Sequence, residues 1–497
     1  MFNPAVDPDL SPGLETGQLH ERLRHIVGET YVLTTPEQLR PYECDGLSAY
    51  KVVPLAVVLP ANSEQVCEIM ALCHEYHVPV VARGAGTGLS GGALPYAQGI
   101  TLSLARFNRV LDIDPANRLA VVQPGVRNLA ISEAVSHLGL YYAPDPSSQI
   151  ACSIGGNVAE NAGGVHCLKY GLTVHNVTRL KVVTVRGELV EIGAGGLDAP
   201  GYDLLALMTG SEGMLGIVVE VTVKLLPKPV SAKAVLASFD DTETAANAVA
   251  KIISGGILPG GLEMMDNPAI RATEDFVHAG YPVDAAAVLI CELDGTEAEV
   301  EAQIELVETI LAEAGATDTR VSRNEAERVR FWSGRKNAFP AVGRISPDYY
   351  CIDGTIPRRQ LGFILGEIAR LSDEYGLAVA NVFHAGDGNL HPLILYDANN
   401  PGEFEKTEEL GGRILEACVA AGGTITGEHG VGVEKINQMC VLFNDTELEQ
   451  FHRVKAAFDP DGLLNPGKAV PTLARCAEFN AMHVHHGELP FPDIERF

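Results

Sequence analysis

Three glycine- and serine-rich segments in the first half of the chain constrain its fold more than any other feature. They span Gly84–Gly92, Pro144–Gly164 and Gly210–Pro227, and each lies beside a predicted strand. Five of the nine residues in Gly84–Gly92 are glycines, which lets the backbone bring several N–H groups to one anion. One such segment alone is compatible with an ordinary surface turn. Three of them so close together favour a single extended ligand that carries phosphate groups.

The first segment contains the pattern G-x-G-x-x-G at Gly86, Gly88 and Gly91, which occurs in Rossmann dinucleotide sites. In a Rossmann site this turn opens a helix whose N-terminus holds the pyrophosphate. Here Pro95 and Gly99 follow, and then the strand ITLSL, so no helix can begin. We therefore exclude a Rossmann site, and the absence of the pattern G-x-x-x-x-G-K-[ST] disfavours a P-loop.

The composition indicates a soluble globular enzyme with several domains. The 497 residues are 46% hydrophobic and 20% charged, a length that suggests roughly two to four domains. The net charge of −28 disfavours binding to nucleic acid or to anionic lipid. No uncharged apolar run of about 18 residues occurs, and the N-terminal MFNPAVDPDLSPG lacks the features of a signal peptide. Ten cysteines without a C-x-x-C pair favour a reducing, cytoplasmic location and argue against an iron–sulfur or zinc–thiolate site.

The order of predicted strands and helices divides the chain into four parts and indicates an α+β fold. Residues 1–50 form an N-terminal helical extension with a helix at Leu19–Val27. Residues 51–230 begin with the strand LAVVLP, a helix from Asn62 or Ser63 to about Tyr76, and the strand VPVVARG. Residues 231–415 alternate strands and helices as in a ferredoxin-like α+β domain, and residues 416–497 are mostly helical.

Two histidines and a carboxylate suggest a divalent-metal site in the second half of the chain. The turn sequence Gly386–Asn389 separates His384 from His391 and predicts a hairpin that brings the two imidazoles together. Further along, the segment TITGEHGVG places Glu428 and His429 between glycines. Two histidines with one carboxylate commonly bind Zn²⁺, and Mn²⁺ or Fe²⁺ also fit. Any one histidine could instead be a buried structural residue, but the four residues together favour function.

The segment RFWSGRKNAFPAVGR, residues 330–344, is cationic in an acidic chain and leaves two interpretations open. Arg335 and Lys336 can be solvated helix charges, or the planar guanidinium of Arg335 can bind a substrate carboxylate. The C-terminal tail carries His483, His485 and His486. We interpret this tail as a docking strand for a partner rather than as a second metal site.

Several of these segments resemble one superfamily of flavoproteins. VVARGAGTGLSGGALP, PDPSSQIACSIGGNVAENAGG and GSEGMLGI resemble the FAD-binding domain of the vanillyl-alcohol oxidase type. HAGDGNLHP and GEHGVG resemble the C-terminal half of its D-2-hydroxyacid dehydrogenase branch. Within that branch, RKNAFPAVGRISPDYYCIDGTIP and HVHHGELPFP are similar to the FAD-linked subunits of bacterial glycolate oxidases, or glycolate dehydrogenases. The resemblance runs from about residue 20 to the C-terminus.

The resemblance implies a two-subdomain FAD-binding domain, a ferredoxin-like cap domain and a helical C-terminal segment. FAD would be bound between the first domain and the cap. It would be bound non-covalently, because Thr87 stands where covalently flavinylated members often have a histidine. The residues that the resemblance places around FAD are Arg83, Gly84, Ala85, Gly86, Thr87, Gly88, Leu89, Ser90, Pro144, Asp145, Ser147, Ser148, Ser153, Gly155, Gly156, Asn157, Gly163, Gly164, Glu212, Gly216, Ile217 and Asn389.

The resemblance also implies how the chemistry is divided among the other candidate residues. It implies a divalent metal, most plausibly Zn²⁺, on His384, His391 and Glu428. It implies that His429 is the base and that Arg335 binds the substrate carboxylate.

The implied reaction is the FAD-dependent oxidation of a small 2-hydroxy acid by hydride transfer. Glycolate to glyoxylate is the first candidate, and D-lactate to pyruvate is the second. Relatives that oxidise 2-hydroxyglutarate have a lysine and a threonine at the positions of Cys351 and Phe339, so these residues favour a shorter acid. A D-lactate or other D-2-hydroxyacid dehydrogenase that acts alone, and a flavoprotein subunit without catalytic activity, are the alternatives.

The resemblance also implies partners. Electrons would pass to a second flavin-type subunit and an iron–sulfur subunit of a glycolate oxidase complex, and then to membrane quinone. A cytoplasmic chain would then be peripheral at the inner membrane only through its partner subunits.

Overall fold

The computed structural model describes residues 13–196, 201–472, 475, 476 and 479. Its first layer is a four-stranded sheet in the order Val32–Leu33, Ala56–Val58, Ile100–Ser103, Val80–Arg83. The last three of these strands are parallel. The connecting helix Ser63–Glu75 begins where it was predicted, because the Asn62 side chain accepts a hydrogen bond from the N–H of Gln65 at 2.9 Å. This helix and the helix Thr16–Val27 bury apolar faces against the sheet.

A second sheet, which is antiparallel, lies in the same half of the chain. Its five strands have the order Val110–Asp114, Leu119–Val122, Ile217–Lys224, Val177–Val183, Leu189–Gly193. The central strand, Ile217–Lys224, is the alternating strand predicted in the last part of the third glycine-rich segment. The two sheets and their helices, residues 13–227, are called the N-terminal domain below.

Residues 231–420 form the cap domain, which is built on one antiparallel sheet of seven strands. The strand order is Asp318–Val321, Ser231–Phe239, Ala287–Gly295, Gly261–Asp266, Val379–Phe383, Pro392–Tyr396, Asp348–Cys351. Four helices share the larger apolar core on one face of this sheet: Thr242–Ser254, Glu297–Ala314, Leu361–Tyr375 and Glu403–Ala420. Asn267–Val277, Glu325–Lys336 and Ala338–Val342 cover the other face. The predicted alternation of strands and helices is therefore confirmed, and the helix Glu403–Ala420 runs across the position where the fourth part was expected to begin.

The remaining elements are short. The strands are Leu140–Tyr141, Leu226–Pro227, Gly354–Thr355 and Asn389–Leu390. The helices are Pro36–Leu39, Asn128–Val135, Ile154–Glu160, Cys167–Tyr170, Thr173–Asn176, Leu204–Met208, Met439–Leu442 and the longer Asp445–Phe458, with 3₁₀ turns at Glu29–Tyr31, Arg40–Tyr42, Ser136–Leu138 and Arg358–Gln360.

The cysteines and the C-terminal tail complete the comparison with the sequence. Eight cysteines are free, whereas Cys440 and Cys476 form a disulfide, which the expectation of a reducing compartment did not include. The tail histidines His483, His485 and His486 lie outside the described residues.

Within the described ranges, no helix combines the length and the apolar composition that crossing a bilayer requires.

A buried glutamate of the cap domain joins the two domains. Glu292 lies at the interface, where its carboxylate accepts a hydrogen bond from Arg328 at 2.6 Å and another from the indole N–H of Trp332. The imidazole of His166, from the N-terminal domain, lies 3.2 Å from Glu292 and 2.8 Å from Asp145. One imidazole is therefore held between carboxylates of both domains.

A second ion pair lies beside it and completes the domain latch, our name for these two groups of contacts. Lys169 and Tyr170 of the N-terminal domain both bind the carboxylate of Asp294, each at 2.5 Å. Asp294 is 4% exposed, so the latch is closed to solvent on the cap side.

We predict that Glu292→Gln lowers the melting temperature at pH 6 and that this loss shrinks as the pH falls. Burial alone would raise the pKa of Glu292 above its ordinary value of 4.5. Hydrogen bonds and charges from His166 and Arg328 outweigh burial and lower this pKa to about 2. The ionised carboxylate therefore stabilises the fold by about 3 kcal/mol above pH 4.5, and this contribution is lost as the pH falls toward 2. Thermal unfolding of both proteins between pH 3 and pH 6 measures the difference. A loss of equal size throughout this range would contradict the assigned ionisation.

Candidate active site

A cavity of about 390 Å³ lies where the glycine-rich segments of the N-terminal domain meet the cap domain. It extends from the glycine-rich wall to His391, Glu428 and His429, so the predicted cofactor and metal residues share one space. The predicted cofactor residues that line it are Arg83, Gly84, Ala85, Gly86, Thr87, Gly88, Leu89, Ser147, Ser148, Ser153, Gly155, Gly156, Asn157, Glu212 and Gly216.

The remaining predicted cofactor residues do not line the cavity: Ser90, Pro144, Asp145, Gly163, Gly164, Ile217 and Asn389. Two of them support the wall through side-chain contacts. The Ser90 hydroxyl donates a hydrogen bond to the carbonyl oxygen of His429 at 2.9 Å, and the Asp145 carboxylate belongs to the domain latch.

Glycine is required in the wall because neighbouring atoms occupy the space of a side chain. A Cβ on Gly84 would lie 2.1 Å from Ser153 Oγ. Gly86 has a φ of +71°, a conformation that favours glycine. The amide nitrogen Nδ2 of Asn157 is buried, and no atom of the described residues accepts a hydrogen bond from it. Close backbone approach and an unused amide donor fit a large cofactor such as FAD.

Two carboxylates in the wall were not selected from the sequence. Asp45 and Glu160 both line the cavity. Burial raises the pKa of both carboxyls, and the neighbouring Glu212 raises that of Glu160 further. Asp45 lies outside the three glycine-rich segments and Glu160 lies within the second, and nothing in either local sequence marks the acid as facing a ligand.

The predicted hairpin brings the two cap histidines together. The strands Val379–Phe383 and Pro392–Tyr396 pair antiparallel, and a bridge between His384 and Asn389 closes the turn. The ring centroids of His384 and His391 lie 5.1 Å apart. The hairpin prediction is therefore confirmed.

Glu428 completes a set of donor atoms that fits a divalent metal. Its Oε1 lies 3.2 Å from Nε2 of His384 and 3.0 Å from Nε2 of His391. All three donor atoms lie within 4.8 Å of one another. Ligands on one tetrahedral Zn²⁺ at about 2.0 Å would be about 3.3 Å apart, so the set has the right dimensions. Cys351, His391 and His429 form a second such group, which shares His391 with the first.

A buried aspartate fixes the loop that carries Glu428 and His429. Asp353 is 0% exposed, and its carboxylate accepts hydrogen bonds from the consecutive N–H groups of Gly427, Glu428 and His429 at 3.0, 3.2 and 2.9 Å. This arrangement turns the side chain of Glu428 toward the histidines. Asp353 was not selected from the sequence, although an acid that closely follows a strand, here Asp348–Cys351, is a recognisable signal.

His429 is held as a neutral imidazole at the cavity. Its ring stacks on that of His391, with centroids 4.9 Å apart and planes 12° apart. Burial lowers the pKa of His429 to about 4. The ring is therefore neutral at pH 7 and can accept a proton.

Arg335 is not a solvated helix charge, so that interpretation is wrong. Its side chain is 2% exposed, and its Nε donates a hydrogen bond to Glu263 Oε2 at 2.8 Å. Its Nη2 is also buried, and within the described part of the chain this nitrogen has no hydrogen-bond partner. Arg335 does not itself line the cavity, whereas the following Lys336 and Phe339 do.

Glu263 was missed by the sequence reasoning and links Arg335 to the histidines. Its second oxygen, Oε1, lies 2.8 Å from Nδ1 of His384. The available signal was an acid in the middle of the buried strand Gly261–Asp266, since an acid there is stable only with partners.

Phe339 and Cys351 both lie near His391, but only Phe339 lines the cavity. The ring of Phe339 lies 6.4 Å from that of His391, measured between centroids. Cys351 is 6% exposed and lies in the second donor group. Neither side chain offers a charge to a second substrate carboxylate.

Comparisons with known proteins agree with this geometry. A family model described as "FAD binding domain" matches residues 54–193, and one described as "FAD linked oxidases, C-terminal domain" matches residues 228–469. The chain is 68% identical to "Glycolate oxidase subunit GlcD" of Escherichia coli K12, over 98% of this chain and 97% of the relative. It is 32% identical to a D-lactate dehydrogenase of Anaerostipes hadrus, over 91% of this chain and 97% of the relative. The fold is similar to that of p-cresol methylhydroxylase, with a TM-score of 0.77, 19% identity, and coverage of 93% of this chain and 99% of that structure.

The family models cover both sides of the cavity, and the relatives align along nearly the whole chain. The likeness to p-cresol methylhydroxylase establishes the vanillyl-alcohol oxidase type of FAD-binding fold. The chain therefore belongs to the family of FAD-linked oxidases, in the branch that contains the D subunit of glycolate oxidase.

Proposed function

We propose that the chain is the FAD-linked subunit of a glycolate dehydrogenase and oxidises glycolate to glyoxylate with the assistance of a divalent metal. The observation that carries the proposal is the meeting of His384, His391 and Glu428 within 4.8 Å beside a glycine-walled cavity. The 68% identity to a glycolate oxidase subunit supports the choice of substrate.

The residues of the chain have separate tasks in this proposal. When bound, FAD would accept the hydride from C2 of the acid, and the metal, most plausibly Zn²⁺, would act as a Lewis acid at the hydroxyl oxygen. His384, His391 and Glu428 would hold the metal, and the neutral imidazole of His429 would accept the hydroxyl proton. The glycine-rich wall would hold FAD without a covalent bond, since Thr87 offers no nucleophile of the kind that attaches flavin.

Arg335 would bind the substrate carboxylate with its terminal nitrogens. Its Nε is committed to Glu263, which leaves the unpartnered Nη2 for a ligand. Phe339 in the cavity wall would limit the length of the acid. A two-carbon or three-carbon acid suits this arrangement better than a dicarboxylic one.

A dehydrogenase that prefers D-lactate and acts alone is the second candidate, favoured by the 32% identity to a D-lactate dehydrogenase. A subunit without catalytic activity is disfavoured, because the chain retains the metal set and the base together.

We also propose that electrons leave through a second flavin-type subunit and an iron–sulfur subunit to membrane quinone. The support is that the relative at 68% identity is named as a subunit. These partners would place the chain at the inner membrane peripherally.

Anaerobic mixing with substrate tests the function directly. We expect glycolate to bleach the flavin absorbance fastest, D-lactate more slowly, and D-2-hydroxyglutarate least, because Phe339 shortens the cavity. Stopped-flow absorbance near 450 nm measures the three rates. Fastest bleaching by D-2-hydroxyglutarate would overturn the substrate assignment, and fastest bleaching by D-lactate would favour the second candidate.

Loss of one metal ligand should abolish turnover without releasing FAD, because His391 belongs to the cap and the glycine-rich wall to the N-terminal domain. We expect His391→Ala to retain its yellow colour, to lose bound metal and to turn over more slowly by several orders of magnitude, since a Lewis acid contributes several kcal/mol. The exposed His137, changed to Ala, is the matched control and should behave as wild type. Metal analysis, the flavin spectrum and steady-state rates are the measurements. Wild-type turnover by His391→Ala would show that the site is not catalytic.

Arg335→Lys should raise KM for glycolate and lower kcat, because an ammonium group cannot reproduce the two parallel hydrogen bonds of a guanidinium. A loss of about 2–4 kcal/mol in kcat/KM is expected for a buried charge-assisted contact. Arg328→Lys on the same helix is the control, since Arg328 also binds a buried glutamate but belongs to the domain latch. It should lower the melting temperature with little effect on KM. A change under threefold in kcat/KM for Arg335→Lys would contradict the assignment.

A further inference from the structure

One buried carboxylate connects the two parts of the proposed site. Glu263 is 1% exposed on the strand Gly261–Asp266. Its Oε1 lies 2.8 Å from Nδ1 of His384, at the end of the hairpin, and its Oε2 accepts a hydrogen bond from Arg335, on a helix, also at 2.8 Å. Strand, hairpin and helix therefore meet at one side chain.

We propose that Glu263 is a positioning residue that sets His384 for the metal and Arg335 for the substrate carboxylate at the same time. This inference rests on the proposed function and deepens it, because it names the group that makes metal binding and carboxylate recognition depend on each other.

The contact with Glu263 fixes the orientation of the His384 imidazole. A carboxylate can only accept a hydrogen bond, so Nδ1 of His384 carries the hydrogen that faces Glu263. A ligand imidazole is neutral, so when a metal is bound the lone pair lies on Nε2, the nitrogen in the donor set, which is 3.2 Å from Glu428. Carboxylates that bind the far nitrogen of a ligand histidine fix its tautomer and its orientation.

Glu263 also holds one edge of the Arg335 guanidinium. The guanidinium of Arg335 is buried and does not reach solvent, so its position depends on its buried partners. Glu263 occupies the Nε edge, while Nη2 stays without a partner in the described part of the chain. The fork therefore has a fixed edge and an unused nitrogen, as a receptor for a carboxylate requires.

A comparison within the cap domain separates this role from simple packing. Glu292 lies on the neighbouring strand Ala287–Gly295 and likewise binds a histidine and an arginine, His166 and Arg328. That group joins two domains, which explains why its charges are buried. The partners of Glu263 all belong to the cap domain, so a domain latch does not explain it.

The test measures zinc affinity and kinetics of the FAD-loaded protein in parallel. Glu263→Gln keeps the shape, but its amide can accept a hydrogen bond from only one of the two donors. We expect the Kd for Zn²⁺, measured by competition with a chromophoric chelator, to rise about 10-fold to 100-fold. At saturating Zn²⁺ we expect kcat to recover more than KM, because the displaced Arg335 is not restored by metal.

Glu292→Gln is the matched control. It removes a buried carboxylate with the same kinds of partners, so it should lower stability while the Kd for Zn²⁺ and KM for glycolate stay within about twofold of wild type. Equal effects of both variants on Kd and KM would show a merely structural role and would overturn the inference.

A second variant covers the case in which Glu263→Gln does not fold. Glu263→Asp keeps the charge but shortens its reach, so we expect a weaker Kd for Zn²⁺ and a raised KM with the flavin spectrum unchanged. Wild-type values of Kd and KM in whichever variant folds would refute the role of Glu263 and leave the proposed function unaffected. Failure of the wild-type protein to bind Zn²⁺, or full turnover by His391→Ala, would instead refute the proposed function.

Discussion

The carboxylate of Asp353 is the interaction on which the proposed site most depends. It accepts three consecutive backbone N–H groups from residues 427–429, a loop with glycine on both sides of the Glu-His pair. Without that acceptor the loop would have three unsatisfied donors, each costing about 1–3 kcal/mol when buried. The hairpin histidines lie on a sheet, whereas the backbone N–H groups of Glu428 and His429 both bind Asp353. The order of the donor set therefore depends strongly on one buried aspartate.

Buried charge recurs through the cap domain and always has partners that explain it. Glu263 and Glu292 lie on adjacent strands, and each binds one histidine and one arginine. Both arginines belong to the helix Glu325–Lys336. One group faces the donor set and the other faces the N-terminal domain. Because an unpaired buried charge is strongly destabilising, these constellations fix how helix, sheet and neighbouring domain fit together.

The sequence predicted what local patterns determine. The helix after Asn62, the hairpin around Gly386–Asn389 and the alternating strand before Pro227 follow from capping, turn and period-two signals. The exclusion of a Rossmann turn is also confirmed, because no helix begins between Gly91 and the strand Ile100–Ser103. The glycine-rich segments converge on one cavity as predicted, since their composition allows close backbone approach.

Long-range pairing could not be predicted in the same way. In the sequence, Glu263 is an acid in a largely apolar strand. Its partners lie far away along the chain: His384 more than a hundred residues and Arg335 about seventy residues. The choice between a solvated Arg335 and one that binds a carboxylate could not be made from its helix, because the side chain is buried against Glu263 on the strand Gly261–Asp266. Asp45 joins the cavity wall from outside the three glycine-rich segments, and Glu160 joins it at the end of the short helix Ile154–Glu160.

The chain also closes on itself in a way that bears on how it is made. The edge strand Val80–Arg83 completes its hydrogen bonds with the C-terminal segment: Val80 donates to Leu463 at 2.8 Å and accepts from Asn465 at 2.9 Å. The side chain of Asn465 then reaches Gly92 in the glycine-rich wall, across 373 residues of sequence. A ribosome synthesises the glycine-rich wall long before the residues that brace it, and contacts of such separation form late and slowly. The cofactor cavity therefore acquires its final shape only after residues 463–465 have been synthesised.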